Sequence, residues 1–454
     1  MIGKIKSFLN KGDNRTSLIK KNVLFSFLLK IIGMSVMFIL IPLSINYLGS
    51  VNYGIWITIS SIIAWTGMFD FGFAHGLRNK LTEALAQKDT VLGRYLISSS
   101  YLFILLIAVV LLVSVLPLLS LINWQSLLNL PNSYDSTMLI SIIKLIFIFF
   151  ILQFSLKPIN AILQAHQWPS IAQAMGTVGG VMTVIGLFLL NRYSHFESEL
   201  FTYALLVAGI PIVIELSVTL YLFYTQFKLL RPSFQFIKVE HVKSVAGLGM
   251  GFFIIQLSLL FVYSSDNLII SYLFGPAEVT EYNVVYRYFS IITLFLAVIM
   301  APFWSAITDA YSKSEMPWIE KNIKILLKIL IGSIVLDILL VLLSSWVFSK
   351  WISSDFVASF HLVLLMALYV ICMGWLNIFS FFSNGIGKIR MQTIVYIFVA
   401  ILNLPLSFYF GKTLEMGSSG VLLATIISMI IVSTILTIQY RKIITNQAQG
   451  LWNK

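Results

Sequence analysis

The chain is dominated by a succession of long apolar runs, each close to the length of about 20 residues that crosses a bilayer as a helix. With 59% hydrophobic and 11% charged residues among 454, the sequence excludes a water-soluble domain of this size. We therefore predict an all-α polytopic membrane protein with about 12 transmembrane helices. The predicted spans lie near residues 22–45, 51–74, 95–118, 138–160, 170–190, 201–225, 247–273, 282–306, 322–346, 359–383, 390–410 and 418–439.

Lysine and arginine are distributed unevenly between the two sides of the predicted bundle. Of the 30 Lys and Arg residues, 23 lie in the termini and alternate loops of one side, whereas the other side carries three. By the positive-inside rule, both termini are expected to be cytoplasmic. The net charge of +12 is then an orientation signal, and nucleic-acid binding is not expected. Residues 1–21 are interpreted as a cytoplasmic amphipathic segment at the membrane surface.

Two stretches of the chain resemble each other. Residues 45–49 ahead of Tyr53 are similar to residues 270–275 ahead of Tyr282, and six predicted spans separate equivalent points. This spacing favours a parallel repeat of two similarly oriented halves, with chance similarity between Gly-punctuated helices as the alternative. The predicted division is an N-lobe at 22–225 (spans one to six), a cytoplasmic loop at 226–246, a C-lobe at 247–440 (spans seven to twelve) and a cytoplasmic tail at 441–454.

Motifs for covalent chemistry are missing from the sequence. It contains no zinc-protease helix motif, no phosphate-binding loop and no serine-hydrolase elbow. Five scattered histidines and a single cysteine do not predict a metal site. We expect neither catalytic residues nor a cofactor. An integral-membrane polymerase or transferase stays open as an alternative, although the longest outward loop, 119–137, carries only Asp135 as a charged residue.

Ionisable side chains inside the predicted spans are the most informative feature for function. A charge at the centre of a span costs about 2.5–3.5 kcal/mol, so such residues usually pair or face a water-filled cavity. On span eight, Asn283, Tyr286 and Arg287 follow the spacing of one helix face. On span seven, Asp266 and Asn267 lie on a similar polar face. The basic candidates are Lys30, Lys144, Arg287 and Lys328, and the acidic candidates are Glu215, Asp266 and Asp337.

Several of these charges also have a purely structural interpretation. Lys30 is the deep charge of a narrow polar line on span one, which favours a functional role. Lys144 and Lys328 lie at depths from which a lysine stem can reach the interface by snorkelling. Asp266 and Arg287 reach nearly the same depth, so they are predicted either to line a cavity or to form a structural ion pair.

Short motifs resemble those of the polysaccharide transport family. After span two, the run Asp-Phe-Gly-Phe begins at Asp70 and is followed by Arg78 and Glu83. Residues 265–270, Ser-Asp-Asn-Leu-Ile-Ile, are followed by Gly275, Tyr282 and Arg287. On these motifs, the chain resembles Wzx-type flippases of undecaprenyl-diphosphate-linked oligosaccharides. That family belongs to the superfamily of multidrug, oligosaccharidyl-lipid and polysaccharide exporters (MOP).

The resemblance implies a fold and a set of site residues. The family fold has two six-helix lobes in the V-shaped architecture of multidrug and toxin extrusion (MATE) transporters, with spans one, two, seven and eight lining the cavity. Substrate binding in a cationic lumen is then expected of Lys30, Arg287, Lys144 and Lys328. Lumen polarity or proton or sodium coupling is expected of Asp266, Asn267, Asn283, Tyr286, Glu215 and Asp337.

The function implied by the resemblance is a flippase for surface polysaccharide assembly, such as O-antigen or capsule. It would carry the lipid-linked oligosaccharide from the cytoplasmic to the outer leaflet of the bacterial inner membrane by alternating access. Lys30 stands where multidrug antiporters often carry an acidic residue, which favours an anionic cargo. Expected partners are the lipid-linked oligosaccharide, membrane lipid, and a polysaccharide polymerase with its chain-length regulator. A cation-coupled multidrug antiporter that uses Asp266, Glu215 or Asp337 is the alternative.

Overall fold

Helices make up nearly all the regular structure. The computed structural model describes residues 14–65, 67, 73–193, 199–238, 240 and 250–453, and these residues form no β-strand. The predicted all-α class is confirmed. In chain order the helices are α1 (Asn14–Ala64), α2 (Phe73–Ala86), α3 (Thr90–Leu118), α4 (Trp124–Leu127), α5 (Ser136–Leu156), α6 (Pro158–Ala165), α7 (Pro169–Tyr193), α8 (Glu199–Tyr224), α9 (Met250–Tyr263), α10 (Asp266–Phe274), α11 (Pro276–Ser312), α12 (Met316–Trp351), α13 (Phe360–Gly385), α14 (Arg390–Phe408) and α15 (Gly417–Ile444).

The helix lengths agree with the predicted number of spans. Ten helical stretches of the described residues are long and apolar enough to cross a membrane. The first of these, Leu28–Ala64, contains spans one and two, because Gly49 interrupts α1 with a non-helical backbone. The 37-residue helix α11 covers the predicted eighth span. Of the amphipathic segment predicted at 1–21, residues 1–13 lie outside the described residues.

Two glycines adopt the same backbone conformation at the two points that the sequence repeat relates. Gly49 has φ 71° and ψ 168°, and Gly275 has φ 91° and ψ 166°. A positive φ strains residues with a Cβ atom, which explains why glycine stands at both points. Each glycine ends one helical segment and starts the next, so the two halves turn in the same way at equivalent positions.

The chain forms two compact units. Unit 1 comprises Met1–Gly49, Thr66–Trp124 and Asp135–Met250, and unit 2 comprises Ser50–Trp65, Gln125–Tyr134 and Gly251–Lys454. The chain leaves unit 1 for the last time between residues 250 and 251, which is near the predicted start of the C-lobe at residue 247. The membership of residues 50–65 and 125–134 in unit 2 was not predicted. The lobe limits given above stay a prediction.

Unit 1 is built from helices that pack along apolar faces. Helix α2 packs against α3 and α6, α5 packs against α3 and α8, and α7 packs against α8. Asp89 caps α3 by accepting a hydrogen bond from the Leu92 amide at 2.8 Å, and a cap of this kind contributes about 1 kcal/mol. Gly180 lets α7 approach α1 closely, because a Cβ atom there would lie 2.8 Å from Val36 Cγ1. A small residue at this position therefore allows the two helices to pack closely.

Unit 2 is organised around α13 and α15, which pack against each other. Helices α11 and α12 pack against α13, and α14 packs against α15. The segment Ser50–Trp65 joins this unit through backbone and side-chain contacts. Thr280 Oγ1 donates a hydrogen bond to the Ser50 carbonyl at 2.6 Å, and Tyr134 Oη donates one to Asn52 Oδ1 at 2.8 Å.

Gly54→Ala is expected to lower the Tm of the purified protein by about 1–3 °C or more, because overpacking of this kind typically costs about 1–3 kcal/mol or more. A Cβ atom at Gly54 would lie 1.8 Å from the Pro276 carbonyl oxygen, a backbone atom that cannot rotate away. Gly176→Ala is the matched control, since no atom lies within 4 Å of the added methyl group. Equal Tm values for the two variants would show that α1 and α11 are not in close contact at Gly54.

Candidate functional site

The ionisable residues of the predicted spans separate by sign. Glu215, Asp266 and Asp337 are buried inside the units, with 8%, 2% and 5% of their surface exposed. The basic residues are more open: Lys30 and Lys328 are not covered by protein, and Lys144 and Arg287 are half-buried. The three carboxylates are therefore buried by protein, whereas Lys30 and Lys328 are exposed.

Asp266 is the first residue of α10 and lies in a buried polar cluster of unit 2. Its Oδ2 atom accepts a hydrogen bond from Tyr282 Oη at 2.8 Å. Thr425 Oγ1 donates from α15 and lies 3.1 Å from each carboxylate oxygen. Helices α10, α11 and α15 thus converge on one carboxylate, and its hydrogen-bond donors are neutral hydroxyl groups.

The cluster continues into α14 through Asn403. Asn403 Nδ2 donates to Thr425 Oγ1 at 3.2 Å and to Ser428 Oγ at 3.4 Å. These three side chains are fully buried, and Asn403 Oδ1 has no hydrogen-bond partner in the structure. A buried carboxylate beside hydroxyl and amide oxygens offers the ligand types that hard cations prefer, and it can also hold a proton. We refer to Asp266, Tyr282, Asn403, Thr425 and Ser428 as the carboxylate cluster.

Among the described residues, the hydrogen bonds to the Asp266 carboxylate do not involve Arg287. The carboxylate hydrogen bonds come from Tyr282 and Thr425. The Arg287 guanidinium lies 5.6 Å from the centre of the Tyr286 ring, and Tyr286 makes an edge contact with Tyr369 at 6.1 Å. The Arg287 side chain therefore lies beside Tyr286, whereas the Asp266 carboxylate is bonded by Tyr282 and Thr425.

The polar faces predicted on spans seven and eight contact each other through one pair of residues. Asn283 Nδ2 donates hydrogen bonds to Asn267 Oδ1 at 2.8 Å and to the Val279 carbonyl at 2.9 Å. Asn283 is buried and Asn267 is half-buried. These two amides therefore join α10 and α11 next to the carboxylate cluster, as a helix-to-helix contact.

Glu215 belongs to a second polar cluster, in unit 1. Asn160 Nδ2 on α6 donates to Glu215 Oε1 at 3.0 Å. Lys157, at the end of α5, lies within electrostatic range of this carboxylate and donates to the Gly67 carbonyl at 3.1 Å. The sequence indicated Glu215 alone, because Asn160 and Lys157 fall at the end of a predicted span, where polar residues are ordinary.

Three of the predicted cationic residues have no polar partner among the residues that the structure describes. Within the described part of the chain, Lys30, Lys144 and Lys328 form no hydrogen bond or ion pair through their ammonium groups. Asp337 Oδ1 is buried on α12 and also has no hydrogen-bond partner in the structure. The proposed roles of these four residues stay predictions.

The family-motif residues after span two make local surface contacts. Arg78 donates to Gln164 Oε1 at 3.2 Å, which joins α2 to α6. Glu83 pairs with Lys80 at 2.9 Å on the exposed side of α2. Asp70 lies outside the described residues.

Comparison with solved structures defines the class of protein to which the fold belongs. A multidrug resistance MATE family transporter of the MOP superfamily, in an inward-facing conformation, matches 93% of this chain and 98% of its own chain with a TM-score of 0.72 and 14% identity. A MOP superfamily transporter from Pyrococcus furiosus matches 95% of this chain and 97% of its own chain, with a TM-score of 0.61 and 16% identity. The helices therefore have the fold of MATE transporters.

Sequence comparison identifies the family. The family described as polysaccharide biosynthesis protein matches residues 19–307, and the chain belongs to it. A Salmonella typhimurium (strain LT2) protein named as an O-antigen transporter is 26% identical over 416 residues, which are 89% of this chain and 91% of that protein. The resemblance drawn from the short motifs is confirmed.

Proposed function

We propose that this protein translocates undecaprenyl-diphosphate-linked oligosaccharides from the cytoplasmic to the outer leaflet of the bacterial inner membrane. Family membership and the name of the Salmonella relative support an O-antigen or related polysaccharide as the cargo. The proposal depends mainly on the surroundings of Lys30, which lies within a predicted span. Its side chain is exposed and has no carboxylate partner in the described residues. Transport of this kind requires no covalent chemistry.

The chemistry of the cargo explains why a cation is needed. A diphosphate must exchange its hydration shell for hydrogen-bond donors and counter-charge, whereas its polyprenyl tail stays in the lipid. Lys30 supplies both an ammonium donor and a charge. Lys144 and Lys328 would contribute further positive potential, and Arg287 would support the sugar-diphosphate region on the outer side. With a negative cell interior, outward movement of an anion gains about 2.3 kcal/mol per charge per 100 mV.

We also propose that the carboxylate cluster binds the coupling ion, either a proton or sodium. Asp266 supports this assignment better than Glu215 or Asp337, because hydroxyl and amide groups from three other helices surround it. Both termini would be cytoplasmic, as the distribution of Lys and Arg predicts. A polymerase and its chain-length regulator would then receive the oligosaccharide at the outer leaflet.

The proposal is tested in a strain that lacks the gene, by staining surface glycan and measuring the lipid-linked oligosaccharide in each leaflet. We expect loss of surface polymer, retention of the lipid-linked unit on the cytoplasmic leaflet, and restoration of both by the wild-type gene. Normal surface glycan with altered sensitivity to cationic compounds would instead assign a multidrug antiporter. Units that reach the outer leaflet but remain unpolymerised would assign a polymerase.

A further inference from the structure

A short basic and aromatic segment follows α8 and connects unit 1 to the rest of the chain. We call residues 225–238 the strap; it contains two short 3-10 turns, Lys228–Leu230 and Phe234–Phe236. Its cations are Lys228, Arg231 and Lys238, and the sequence contains no acidic residue between Glu215 and Glu240.

The strap is anchored by buried side chains and by hydrogen bonds to its backbone. Phe227 and Leu230 are 3% and 5% exposed. The Phe227 ring lies 4.4 Å from the His166 ring, and burial lowers the pKa of His166. The amide groups of Ser233 and Lys238 donate to Ser98 Oγ and Ser99 Oγ on α3 at 3.1 and 3.0 Å. The strap is therefore held in a defined position against α3.

The outer face of the strap presents large apolar side chains. Leu229 is 73% exposed and Phe234 is 86% exposed. Exposed side chains of this size at the end of a membrane helix are typical of contact with lipid. Helix α8 has 26 residues and spans about 39 Å, which exceeds the hydrocarbon thickness of about 30 Å. This length is sufficient for Tyr224, where the strap begins, to reach the lipid headgroups.

Basic side chains of the strap and of α3 lie against aromatic rings. The Arg94 guanidinium lies 4.1 Å from the centre of the Phe236 ring, and Arg94 Nε donates to the Arg231 carbonyl at 3.0 Å. The Arg231 guanidinium lies 4.5 Å from the Tyr224 ring. The Lys238 ammonium lies 4.8 Å from the Tyr95 ring.

These cations have no carboxylate partner within the described ranges. The ion pairs that the structure shows involve other residues. Asp89, the acidic residue that precedes Arg94 on α3, is engaged as the helix cap through the Leu92 amide. Stacking on rings orients the guanidinium groups, and guanidinium groups bind phosphate through two parallel hydrogen bonds.

We propose that the strap and Arg94 form a binding site for the phosphate headgroup of an anionic phospholipid, with Leu229 and Phe234 inserted among its acyl chains. Charge complementarity selects this occupant: the face is basic and apolar, and anionic lipid supplies a phosphate joined to hydrocarbon. The site lies wholly in unit 1 and does not depend on the identity of the transported cargo.

The test is a titration of the purified full-length protein in a mild detergent with dioctanoyl phosphatidylglycerol or dioctanoyl phosphatidylcholine, followed by native mass spectrometry. We expect tighter binding of phosphatidylglycerol by the wild type. The double variant Lys228→Gln/Arg231→Gln should weaken that binding by about tenfold or more and leave phosphatidylcholine binding unchanged. Lys321→Gln/Lys324→Gln, which removes two exposed cations from α12, is the matched control and should bind phosphatidylglycerol as the wild type does.

Lipid binding by a third variant and binding of undecaprenyl phosphate test the proposal further. Phe234→Ser should weaken phosphatidylglycerol binding without a change in charge, because the insertion of an apolar side chain is lost. Equal affinity of the wild type for the two lipids, or an unchanged preference in the double variant, would overturn the proposal. If the double variant loses binding of undecaprenyl phosphate but retains binding of phosphatidylglycerol, the strap belongs to the cargo pathway and the proposal is wrong.

Discussion

Lys30→Ala is expected to reduce export of the lipid-linked oligosaccharide by roughly 10- to 100-fold, because a hydrogen bond to a charged group is worth about 1.5–3 kcal/mol. The ammonium group is open in unit 1 and has no competing carboxylate among the described residues. Without it, the diphosphate would lose a hydrogen-bond donor and a counter-charge. Lys30→Arg should retain most of the activity, since it keeps the charge and the donors.

The measurement is surface glycan in the deletion strain complemented by each variant, with the amount of protein in the membrane checked by immunoblot. Lys350→Ala is the matched control, because it removes an exposed cation at the end of α12. Arg287→Ala tests the second cation of the proposed lumen. Full export by both Lys30→Ala and Arg287→Ala would contradict the assignment of the cationic site while leaving the flippase function itself intact.

Asp266→Asn is expected to remove the response of transport to an imposed proton or sodium gradient. Asparagine keeps the size of the side chain, so the hydrogen bonds from Tyr282 and Thr425 persist in part, but no ionisable oxygen remains. A single lost ion per cycle would remove the whole coupled driving force, which is why the expected effect is large. Transport driven by the membrane potential alone should continue at a reduced rate.

Proteoliposomes that contain lipid-linked oligosaccharide allow gradient and potential to be imposed separately. Asp309→Asn is the control, because Asp309 is exposed and pairs with Lys313 at the surface. Thr425→Val should weaken the response to the gradient in the same direction, since it removes a hydroxyl from the carboxylate. If Glu215→Gln or Asp337→Asn abolishes the gradient response and Asp266→Asn does not, the coupling ion binds elsewhere.

The outcome for Asp266 shows how far sequence reasoning reaches into the site. A carboxylate in an apolar run is conspicuous, so Asp266 could be singled out directly. Its hydrogen-bond donor Thr425 lies 159 residues away on α15, and small hydroxyl residues are common in membrane helices. Helical periodicity indicates which residues share a face, but it carries no information about which face of another helix will meet them.

The strap is a second case in which contacts between distant residues could not be predicted from the sequence. Its basic character is visible in the sequence and was interpreted as part of the orientation signal. The stacking of Arg94 on Phe236 and the anchoring of the strap by Ser98 and Ser99 join residues more than 130 positions apart. These contacts fix the position of a charged loop against α3. They depend on how α3 lies relative to the strap at the end of α8.

The sequence by itself determined the all-α membrane class, the approximate number of spans, the repeat and the family. These properties depend on hydrophobic length, glycine positions and short motifs, which are read along the chain without knowledge of distant contacts. Tertiary structure alone decided that residues 50–65 and 125–134 join unit 2, that Asp266 is bonded by Tyr282 and Thr425 instead of Arg287, and that the strap is held against α3. The reason is physical: inside a membrane, apolar faces are nearly equivalent, so the choice between helix neighbours depends on close packing and buried hydrogen bonds between residues far apart in the chain.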